Sequence, residues 1–330
     1  MKAIVQTEYG SPDVLSLQEI DKPLVTANGV LVQVRATSVN AGDWHLMRGD
    51  PFLSRLMFGG ILKPKIKTLG MDIAGIVEAV GKDVTQFQIG DEVFGDLSGC
   101  GFGAFAEYAC GTEAALSLKP TNISFEQAAT VPCAALTALQ GLRDYGQIQA
   151  GQKVLINGAS GGVGSFAVQI AKALGAEVTA VCSTHKMEMI RLPTVGSPTI
   201  GADYIIDYTQ ADITKNGQQY DLILDAAAYR SVFDYAPILK PDGTYVLIGG
   251  SISRLFQVLL FGSVISRIMR REVKCLMVKA NRSDLVILKD LIEAEKVVPL
   301  IDQTYSMSQV PAAIHHIEQR QVRGKIAISI

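Results

Sequence analysis

Short apolar runs separated by turn-forming residues dominate the amino-terminal third of the chain. Val30–Ala36 and Ile73–Val80 are two such runs, and Gly, Pro, Asn and Asp residues separate them from their neighbours. Apolar runs of this length between turn residues are typical of strands. The pattern therefore predicts a β-rich region.

After Pro120 the pattern changes to alternating helices and strands. Apolar residues recur at helical spacing from Phe125 to Leu142. Strands are then predicted at Lys153–Asn157, Val178–Cys182, Tyr204–Ile206, Leu222–Asp225 and Tyr245–Ile248, with a helix at Val163–Leu174 that stops at Gly175. Strands joined by helices indicate a parallel sheet with crossovers, the doubly wound α/β arrangement.

The carboxy-terminal residues return to a mixed pattern. A helix is predicted at Leu285–Ala294, and a second one runs from Ser308, a good N-cap, through His316. An alternating strand, Lys325–Ile330, follows. We expect these elements to rejoin the first domain.

A glycine-rich turn connects the strand Val154–Ile156 to the following helix. Its residues are Ala159, Ser160, Gly161, Gly162, Val163 and Gly164. A bare backbone at Gly161 or Gly162 permits close approach of a pyrophosphate, and Gly164 lets the helix lie against the strand. The free N–H groups of the first helical turn favour an anion. The βαβ context predicts a dinucleotide site; a glycine-rich turn without a ligand is the alternative.

The end of the second strand indicates which dinucleotide binds. An acidic residue there would hold the ribose 2′-hydroxyl of NAD. The residues are instead Ser183, Thr184, His185 and Lys186, with no acid before Glu188. Hydroxyls and a cation suit a 2′-phosphate, so NADPH is favoured. The alternative for Lys186 is a solvated surface lysine.

Composition and charge exclude several classes. The 330 residues suggest about two domains. The net charge is −2 without a basic cluster, which argues against nucleic-acid binding. Five cysteines without a CxxC pair argue against a disulfide framework or a structural zinc site. The apolar stretch Leu255–Ile268 is interrupted by Arg267 and is predicted to be too short to span a bilayer. We expect a soluble, cytoplasmic protein.

Motifs spread over nearly the whole chain resemble the quinone oxidoreductase and enone reductase branch of the medium-chain dehydrogenase/reductase superfamily. They are VNAGDWHLMRG from Val39, LGMDIAGIVEAVG from Leu69, GDEVFG from Gly90, AAxVPCAALTALQGL from Ala128, ASGGVG from Ala159, GADYIIDY from Gly201, LIGG from Leu247 and RGK from Arg323. The resemblance implies a GroES-like β-barrel domain over residues 1–120, a Rossmann domain over 121–284, and a return to the first domain over 285–330.

The resemblance also argues against a catalytic zinc. Where zinc-dependent members carry a Cys and a GHE motif, this chain has Asn40 and Gly70-Met71-Asp72. A thioether and an amide are poor zinc ligands. The resemblance therefore implies reduction of activated double bonds or quinones rather than alcohol oxidation.

Cofactor contacts carried over from the family extend the predicted site. The resemblance places Thr137 near the nicotinamide, Tyr208 beside the 2′-phosphate, and Ile248 and Gly249 beside the nicotinamide ribose. It places Arg323, Gly324 and Lys325 over the cofactor. The alternative for Tyr208 is an aromatic residue on an edge strand.

The resemblance implies that four residues of the first domain face the substrate. Asn40 and His45 are the candidate catalytic residues, as hydrogen-bond donors to a developing enolate. Trp44 and Met71 are candidate pocket residues. The alternatives are that Trp44 packs the barrel rim and His45 is merely exposed, while Asp43 caps a short helix.

Taken together, the residues and the resemblance predict an NADPH-dependent enone or quinone reductase that acts on a small molecule and is a candidate homodimer. An enoyl-thioester reductase and a non-catalytic NADPH-binding protein are the alternatives. Residues 192–200 form a predicted loop that is longer than the usual link in the family. The apolar segment Ser251–Val273, with predicted bends next to its glycines, is expected to pack in the core, cover a pocket, form a subunit contact or, less strongly, attach to a membrane surface.

Overall fold

The computed structural model describes residues 1–58, 60–191 and 201–330, so the predicted loop at 192–200 lies outside the described residues. The chain divides into two compact units. Unit 1 contains Met1–Leu136, Lys279–Ala294 and Pro299–Ile330, and unit 2 contains Thr137–Val278 and Glu295–Val298.

Unit 1 is built mainly of antiparallel strands. They are β1 (Lys2–Gln6), β2 (Leu15–Glu19), β3 (Gly29–Val39), β4 (Asp72–Val80), β5 (Glu92–Asp96), β6 (Tyr108–Thr112), β7 (Leu116–Leu118), and later in the chain β14 (Ile301–Ser306) and β15 (Lys325–Ser329). The main sheet has the order β14-β15-β3-β4-β5-β7, with β6 also paired to β3, while β1 and β2 form a hairpin. Because Ile326 of β15 pairs with Val39 of β3, the end of the chain completes this sheet.

The helices of unit 1 are α1 (Ala41–Arg48), α2 (Phe52–Met57), α3 (Phe125–Ala129), the first half of α4 (Pro132–Gln140), α9 (Arg282–Glu293) and α10 (Val310–Glu318). The periodic stretch that begins at Phe125 is two helices, because a proline cannot donate the backbone hydrogen bond that would continue α3 through Pro132. Helix α3 packs on β3 and β4. Unit 1 includes this helical region as far as Leu136.

Unit 2 contains a six-stranded parallel sheet. Its strands are β8 (Lys153–Asn157), β9 (Glu177–Cys182), β10 (Tyr204–Asp207), β11 (Tyr220–Asp225), β12 (Leu239–Leu247) and β13 (Glu272–Cys275), in the order β10-β9-β8-β11-β12-β13. Every neighbouring pair is parallel. The predicted doubly wound arrangement is confirmed, and its strand order reverses between β8 and β11, where such sheets bind ligands.

The helices of unit 2 are the end of α4, which continues into a π-helical turn at Gly141–Tyr145, then α5 (Gly162–Ala173), α6 (Met187–Ile190), α7 (Val232–Tyr235) and α8 (Ile252–Met269). Short 3-10 turns lie at Pro12–Val14, Glu113–Ala115, Thr184–Lys186, Ile213–Lys215, Ala236–Ile238 and Met307–Gln309 of the two units. Apolar side chains of β11, β12 and α8 share one core cluster.

The structure corrects the prediction for the segment around α8. The predicted bends are absent from the described α8, which is one continuous helix of 18 residues. Gly262 lies inside it because a side chain there would approach Val273 of β13 to 3.2 Å. By length and composition α8 is also long and apolar enough to cross a membrane, contrary to the predicted short stretch.

Candidate functional site

The predicted cofactor residues of unit 2 gather at one edge of the parallel sheet. The glycine-rich turn follows β8, Ser183 follows β9, Tyr208 follows β10, and Ile248 follows β12. Because all strands are parallel, their carboxyl ends meet at the same edge. Segments far apart in sequence are thus brought together where doubly wound sheets bind nucleotides.

The turn after β8 has the backbone geometry that its glycines predict. Gly158 adopts a left-handed conformation with φ of +78°. A Cβ on Gly164 would lie 2.1 Å from the Gly158 carbonyl oxygen, so only glycine permits this contact between helix and strand. At Gly161 the nearest atom would be 3.5 Å away, which leaves the approach to the backbone open.

The amino terminus of α5 is suited to an anion. Its N-cap residue, Gly161, provides no side-chain acceptor. Within the residues that the structure describes, the N–H groups of Gly162, Val163 and Gly164 have no hydrogen-bond acceptor. Three free donors at the positive end of a 12-residue helix fit a pyrophosphate. Ser160 lies beside them and is buried.

The residues after β9 form a compact polar turn. The Ser183 hydroxyl lies 3.3 Å from Nδ1 of His185, Thr184 is exposed, and Lys186 is buried. Burial and, to a smaller extent, the Asp207 carboxylate raise the pKa of the neighbouring Cys182 thiol to about 11, against the opposing effect of the Lys186 ammonium. The cation of Lys186 is therefore held near the end of β9, and it is not a solvated surface lysine.

An acidic residue that sequence reasoning missed also reaches this turn. Asp207, the last residue of β10, pairs in the sheet with Cys182 and accepts hydrogen bonds from the hydroxyls of Thr184 and Thr209. These bonds lower the pKa of the Asp207 carboxyl group. The only available signal was the Asp-Tyr pair in the motif that ends β10. The next residue, Tyr208, is exposed and lies 5.5 Å from the ring of Tyr229.

The remaining predicted cofactor residues of unit 2 are Ile248, Gly249 and Thr137. The Ile248 N–H donates to the Asp225 carbonyl oxygen at 3.0 Å, which ties the end of β12 to β11. Among the described residues, the nearest atom to a Cβ added at Gly249 would be the Ala226 carbonyl oxygen, 3.9 Å away, so the backbone there is open. Thr137 is buried on α4, where unit 2 begins.

Unit 1 contains a separate buried polar cluster centred on Asp72. Its carboxylate accepts hydrogen bonds from the Ser38 hydroxyl at 2.7 Å, the Asn40 amide at 2.8 Å and the Cys133 backbone N–H at 2.8 Å. The Lys325 ammonium lies 3.4 Å away, and both charged side chains are almost fully buried. A buried pair of this kind depends on its additional hydrogen bonds, and these are present.

The Lys325 side chain forms its hydrogen bonds within this cluster. Its ammonium donates to the carbonyl oxygen of Val39 and to the amide oxygen of Asn40, in addition to its pairing with Asp72. Gly324 turns the chain with φ of +76°, where a Cβ would lie 2.4 Å from the Leu300 carbonyl oxygen. Arg323 is exposed. Of these three predicted cofactor residues, only Arg323 has a side chain directed to solvent.

Two further buried carboxyl groups accompany Asp72. Asp43 accepts hydrogen bonds from the N–H groups of Asn40 and Gly70, so it caps α1 as the structural alternative proposed. Burial raises the pKa of the Asp43 carboxyl to about 7 and that of Asp96 to about 6, and the nearby Asp72 carboxylate adds to both shifts. The Lys325 ammonium is therefore the positive charge that stabilises the carboxylate forms of Asp43, Asp72 and Asp96.

His45 is held in a defined orientation on α1. Its Nδ1 lies 2.6 Å from the Asp50 carbonyl oxygen, which can only accept a hydrogen bond. The neutral ring therefore carries its proton on Nδ1, and Nε2 is left as an acceptor. Nε2 can donate to a substrate only in the imidazolium form.

Trp44 and Met71 pack within unit 1. The Trp44 indole N–H donates to Glu318 of α10 at 2.5 Å, and Arg48 donates to the same carboxylate oxygen at 2.7 Å. Met71 is buried in the apolar cluster of unit 1 against which Trp44 packs, and its methyl group lies against Gly42 of α1. Sequence reasoning missed Glu318, whose role depends on the packing of α10 against α1 and is marked by no local pattern.

Two family profiles match the chain. The alcohol dehydrogenase GroES-like domain matches residues 26–121, and the zinc-binding dehydrogenase profile matches residues 200–328. The NAD(P)H oxidoreductase RTN4IP1 of Homo sapiens is 33% identical over 361 aligned positions, which cover 100% of this chain and 89% of that protein. The NADPH-dependent alkenal/one oxidoreductase of Arabidopsis thaliana is 32% identical, covering 99% of this chain and 79% of that protein.

The chain belongs to the medium-chain dehydrogenase/reductase superfamily, in its quinone oxidoreductase and enone reductase branch. A solved quinone oxidoreductase from Coxiella burnetii matches with a TM-score of 0.83 and 27% identity, covering 100% of this chain and 99% of that chain. The resemblance inferred from the motifs is thereby confirmed, and so is the fold class of a GroES-like domain with a Rossmann domain.

The residues at the zinc positions of the superfamily do not fit a zinc ion. Asn40 is bonded through its amide to Asp72 and Lys325, and Met71 is buried among apolar side chains. An ammonium beside Asp72 already supplies the positive charge that this carboxylate requires. A divalent cation would have to compete with it and would find an amide and a thioether as neighbouring ligands.

Proposed function

We propose that the protein is an NADPH-dependent oxidoreductase that reduces the carbon–carbon double bond of an α,β-unsaturated carbonyl compound, or a quinone, without zinc. The observation that carries the proposal is the edge of the parallel sheet, where unbonded backbone N–H groups, the hydroxyls of Ser183 and Thr184, and the Lys186 cation meet. Membership of the quinone oxidoreductase and enone reductase branch supports the reaction class.

The roles of the nucleotide-binding residues follow from their chemistry. The first turn of α5 would hold the pyrophosphate, and Ser183, Thr184 and Lys186 would hold the 2′-phosphate. Ile248 and Gly249 would lie beside the nicotinamide ribose. The Thr184 hydroxyl donates its one proton to Asp207, so it can donate to the 2′-phosphate only by giving up that bond. The nearby negative charge of Asp207 reduces the preference for the 2′-phosphate below what the cation alone would give.

Bound NADPH would supply a hydride from its nicotinamide to the β-carbon of the substrate. The chain must then stabilise the negative charge that develops on the carbonyl oxygen. Within the described residues, only one of the two amide hydrogens of Asn40 has an acceptor, so the other is available as a donor. The imidazolium form of His45 would be a second donor and could return a proton to the α-carbon.

The proposal is tested by measuring oxidation of NADPH and of NADH with a panel of enones, quinones and enoyl thioesters. We expect saturable turnover with enones or quinones and a higher kcat/KM with NADPH. Preferential turnover of enoyl thioesters would establish the alternative reductase. Tight binding of NADPH by calorimetry without turnover of any substrate would establish a non-catalytic protein, and binding of neither nucleotide would overturn the proposal.

A further inference from the structure

Helix α8 presents a wide apolar face to solvent. Phe256, Leu260, Val264 and Ile268 follow one another at intervals of one turn and are 51%, 66%, 50% and 76% exposed. Leu259, beside them, is 61% exposed. Scattered exposed apolar residues are normal in proteins, but a continuous row of large ones along one helix marks an interaction surface.

The opposite face of α8 fixes the helix to unit 2. Val258 and Ile265 are buried in the core cluster, and Gly262 lies against Val273 of the edge strand β13. To cross a bilayer, the helix would have to leave this core and expose β13. The helix can therefore present its outer face to a membrane surface while its inner face stays packed, as interfacial helices do.

The charges around α8 indicate which kind of surface its apolar face can bind. The sequence contains no Asp or Glu between Asp242 and Glu272, whereas Arg254, Arg267, Arg270 and Arg271 lie in that interval. Arg267 is exposed and projects from the apolar face itself. Arg270 pairs with Asp242 at 3.2 Å, but both side chains are largely exposed, so this pair is weak.

This distribution of charge disfavours a second copy of the chain as the occupant. In a two-fold symmetric contact through α8, Arg267 would be enclosed in the apolar contact, and α8 offers no carboxylate to pair with it. Anionic lipid head groups supply the complementary charge next to an apolar layer that accepts Phe256, Leu260 and Ile268.

We propose that the outer face of α8, defined by Phe256, Leu259, Leu260, Val264, Arg267 and Ile268, docks on the surface of a bilayer that contains anionic lipids. The helix lies in the plane of the interface with its apolar side chains among the acyl chains and Arg267 among the phosphates. The protein is thereby attached peripherally, and its attachment weakens as the salt concentration rises.

Flotation of the full-length protein with lipid vesicles tests this proposal. One set of vesicles contains phosphatidylcholine and phosphatidylglycerol, and the other contains phosphatidylcholine alone. The variants are the double substitution L260Q/I268Q, the charge reversal Arg267→Glu, and the control Ile89→Gln, which replaces a residue of unit 1 that is 69% exposed. Circular dichroism during thermal unfolding verifies that each variant is folded.

We expect the protein to float with the anionic vesicles and to be released by salt. The double substitution removes two large apolar side chains and should lower the partition coefficient roughly tenfold or more. Arg267→Glu should lower it for anionic vesicles, and Ile89→Gln should leave it unchanged. Failure to bind anionic vesicles, or equal binding by the double variant, would overturn the proposal. So would a dimer of the wild type, detected by analytical ultracentrifugation, that the double substitution converts to monomers.

Discussion

At the residue scale, the proposed preference for NADPH over NADH would depend on a few groups at the ends of β9 and β10. Lys186 supplies a cation near Cys182, and Asp207 supplies an anion that is bonded to Thr184. The two charges act in opposite directions on a 2′-phosphate. On the proposed function, the balance of these two charges would set the nucleotide preference, and each charge can be changed separately.

Lys186→Glu should raise the KM for NADPH far more than that for NADH. A lost charge-assisted hydrogen bond of about 1.5–3 kcal/mol corresponds to roughly a tenfold to hundredfold weaker binding. The measurement is steady-state kinetics with both nucleotides. Because Lys186 is buried, the milder Lys186→Met and a thermal unfolding curve accompany it.

Asp207→Asn is the matched variant, and its expected effect on the preference for NADPH is opposite to that of Lys186→Glu. It keeps an acceptor for the Thr184 hydroxyl but removes the negative charge, so the ratio of NADPH to NADH efficiency should increase. Equal effects of Lys186→Glu on the two nucleotides, together with no effect of Asp207→Asn, would remove the phosphate role from this turn.

His45→Ala should lower kcat about a hundredfold if the imidazolium donates to the developing enolate. The bond from Nδ1 to the Asp50 carbonyl oxygen leaves Nε2 as the ring nitrogen that is available to a substrate. His315→Ala, on an exposed side chain of α10, is the control; an unchanged kcat in His45→Ala would assign donation to Asn40 or to solvent.

At the element scale, the connection from β8 to α5 would form the proposed phosphate site. Helix α5 approaches the strand so closely that residue 164 has no room for a side chain. The same contact aims the first turn of the helix, with its unbonded N–H groups, at the edge of the sheet. The close contact between helix and strand and the N–H groups that would bind an anion therefore both belong to the β8–α5 connection.

Gly164→Ala should impair both stability and nucleotide binding. The added methyl group would lie 2.1 Å from the Gly158 carbonyl oxygen, a backbone atom that cannot rotate away. We expect a loss of about 1–3 kcal/mol in the free energy of unfolding, measured by urea denaturation, and weakened NADPH binding by calorimetry. Gly151→Ala, at a turn with no atom near the added group, is the control for space, although its positive φ adds some strain. Unaltered NADPH affinity in Gly164→Ala would contradict the assignment.

At the scale of the whole molecule, the buried acids of unit 1 link stability to pH. The native state retains protons on Asp43 and Asp96 up to a pKa of about 7 and about 6, whereas the unfolded chain releases them near 3.8. Because the native state binds more protons in this interval, its stability is greatest at the acidic end and is lost as the pH rises.

The free energy of unfolding should therefore decrease between about pH 4 and about pH 7 because of these two groups. Urea denaturation at a series of pH values measures the slope. Asp43→Asn should flatten it, and Asp13→Asn, at an exposed carboxylate, should not. A slope that Asp43→Asn leaves intact would show that this carboxyl group does not hold its proton in the native state.

The elements with local sequence signals were predictable. The strand Lys153–Asn157, the glycine turn and the helix that follows it are encoded by neighbouring residues, through alternation, helical periodicity and the steric freedom of glycine. The family resemblance implied that Ser183, Tyr208 and Ile248 lie together, and the parallel sheet explains it, because its strands end at one edge. The continuous helix α8 was not predicted, because neither a glycine nor an arginine within an apolar run has to interrupt a helix.

The sequence by itself determined the βαβ phosphate turn, the alternation of strands and helices, and membership of the family, because each rests on residues that are close together along the chain. Only the tertiary structure decided that Lys325 meets Asn40 and Asp72, that Glu318 holds Trp44, and that Asp207 reaches Thr184. The first two of these contacts join residues more than 250 positions apart. They depend on the register of β15 against β3 and on the packing of α10 against α1, which no local pattern of residues specifies.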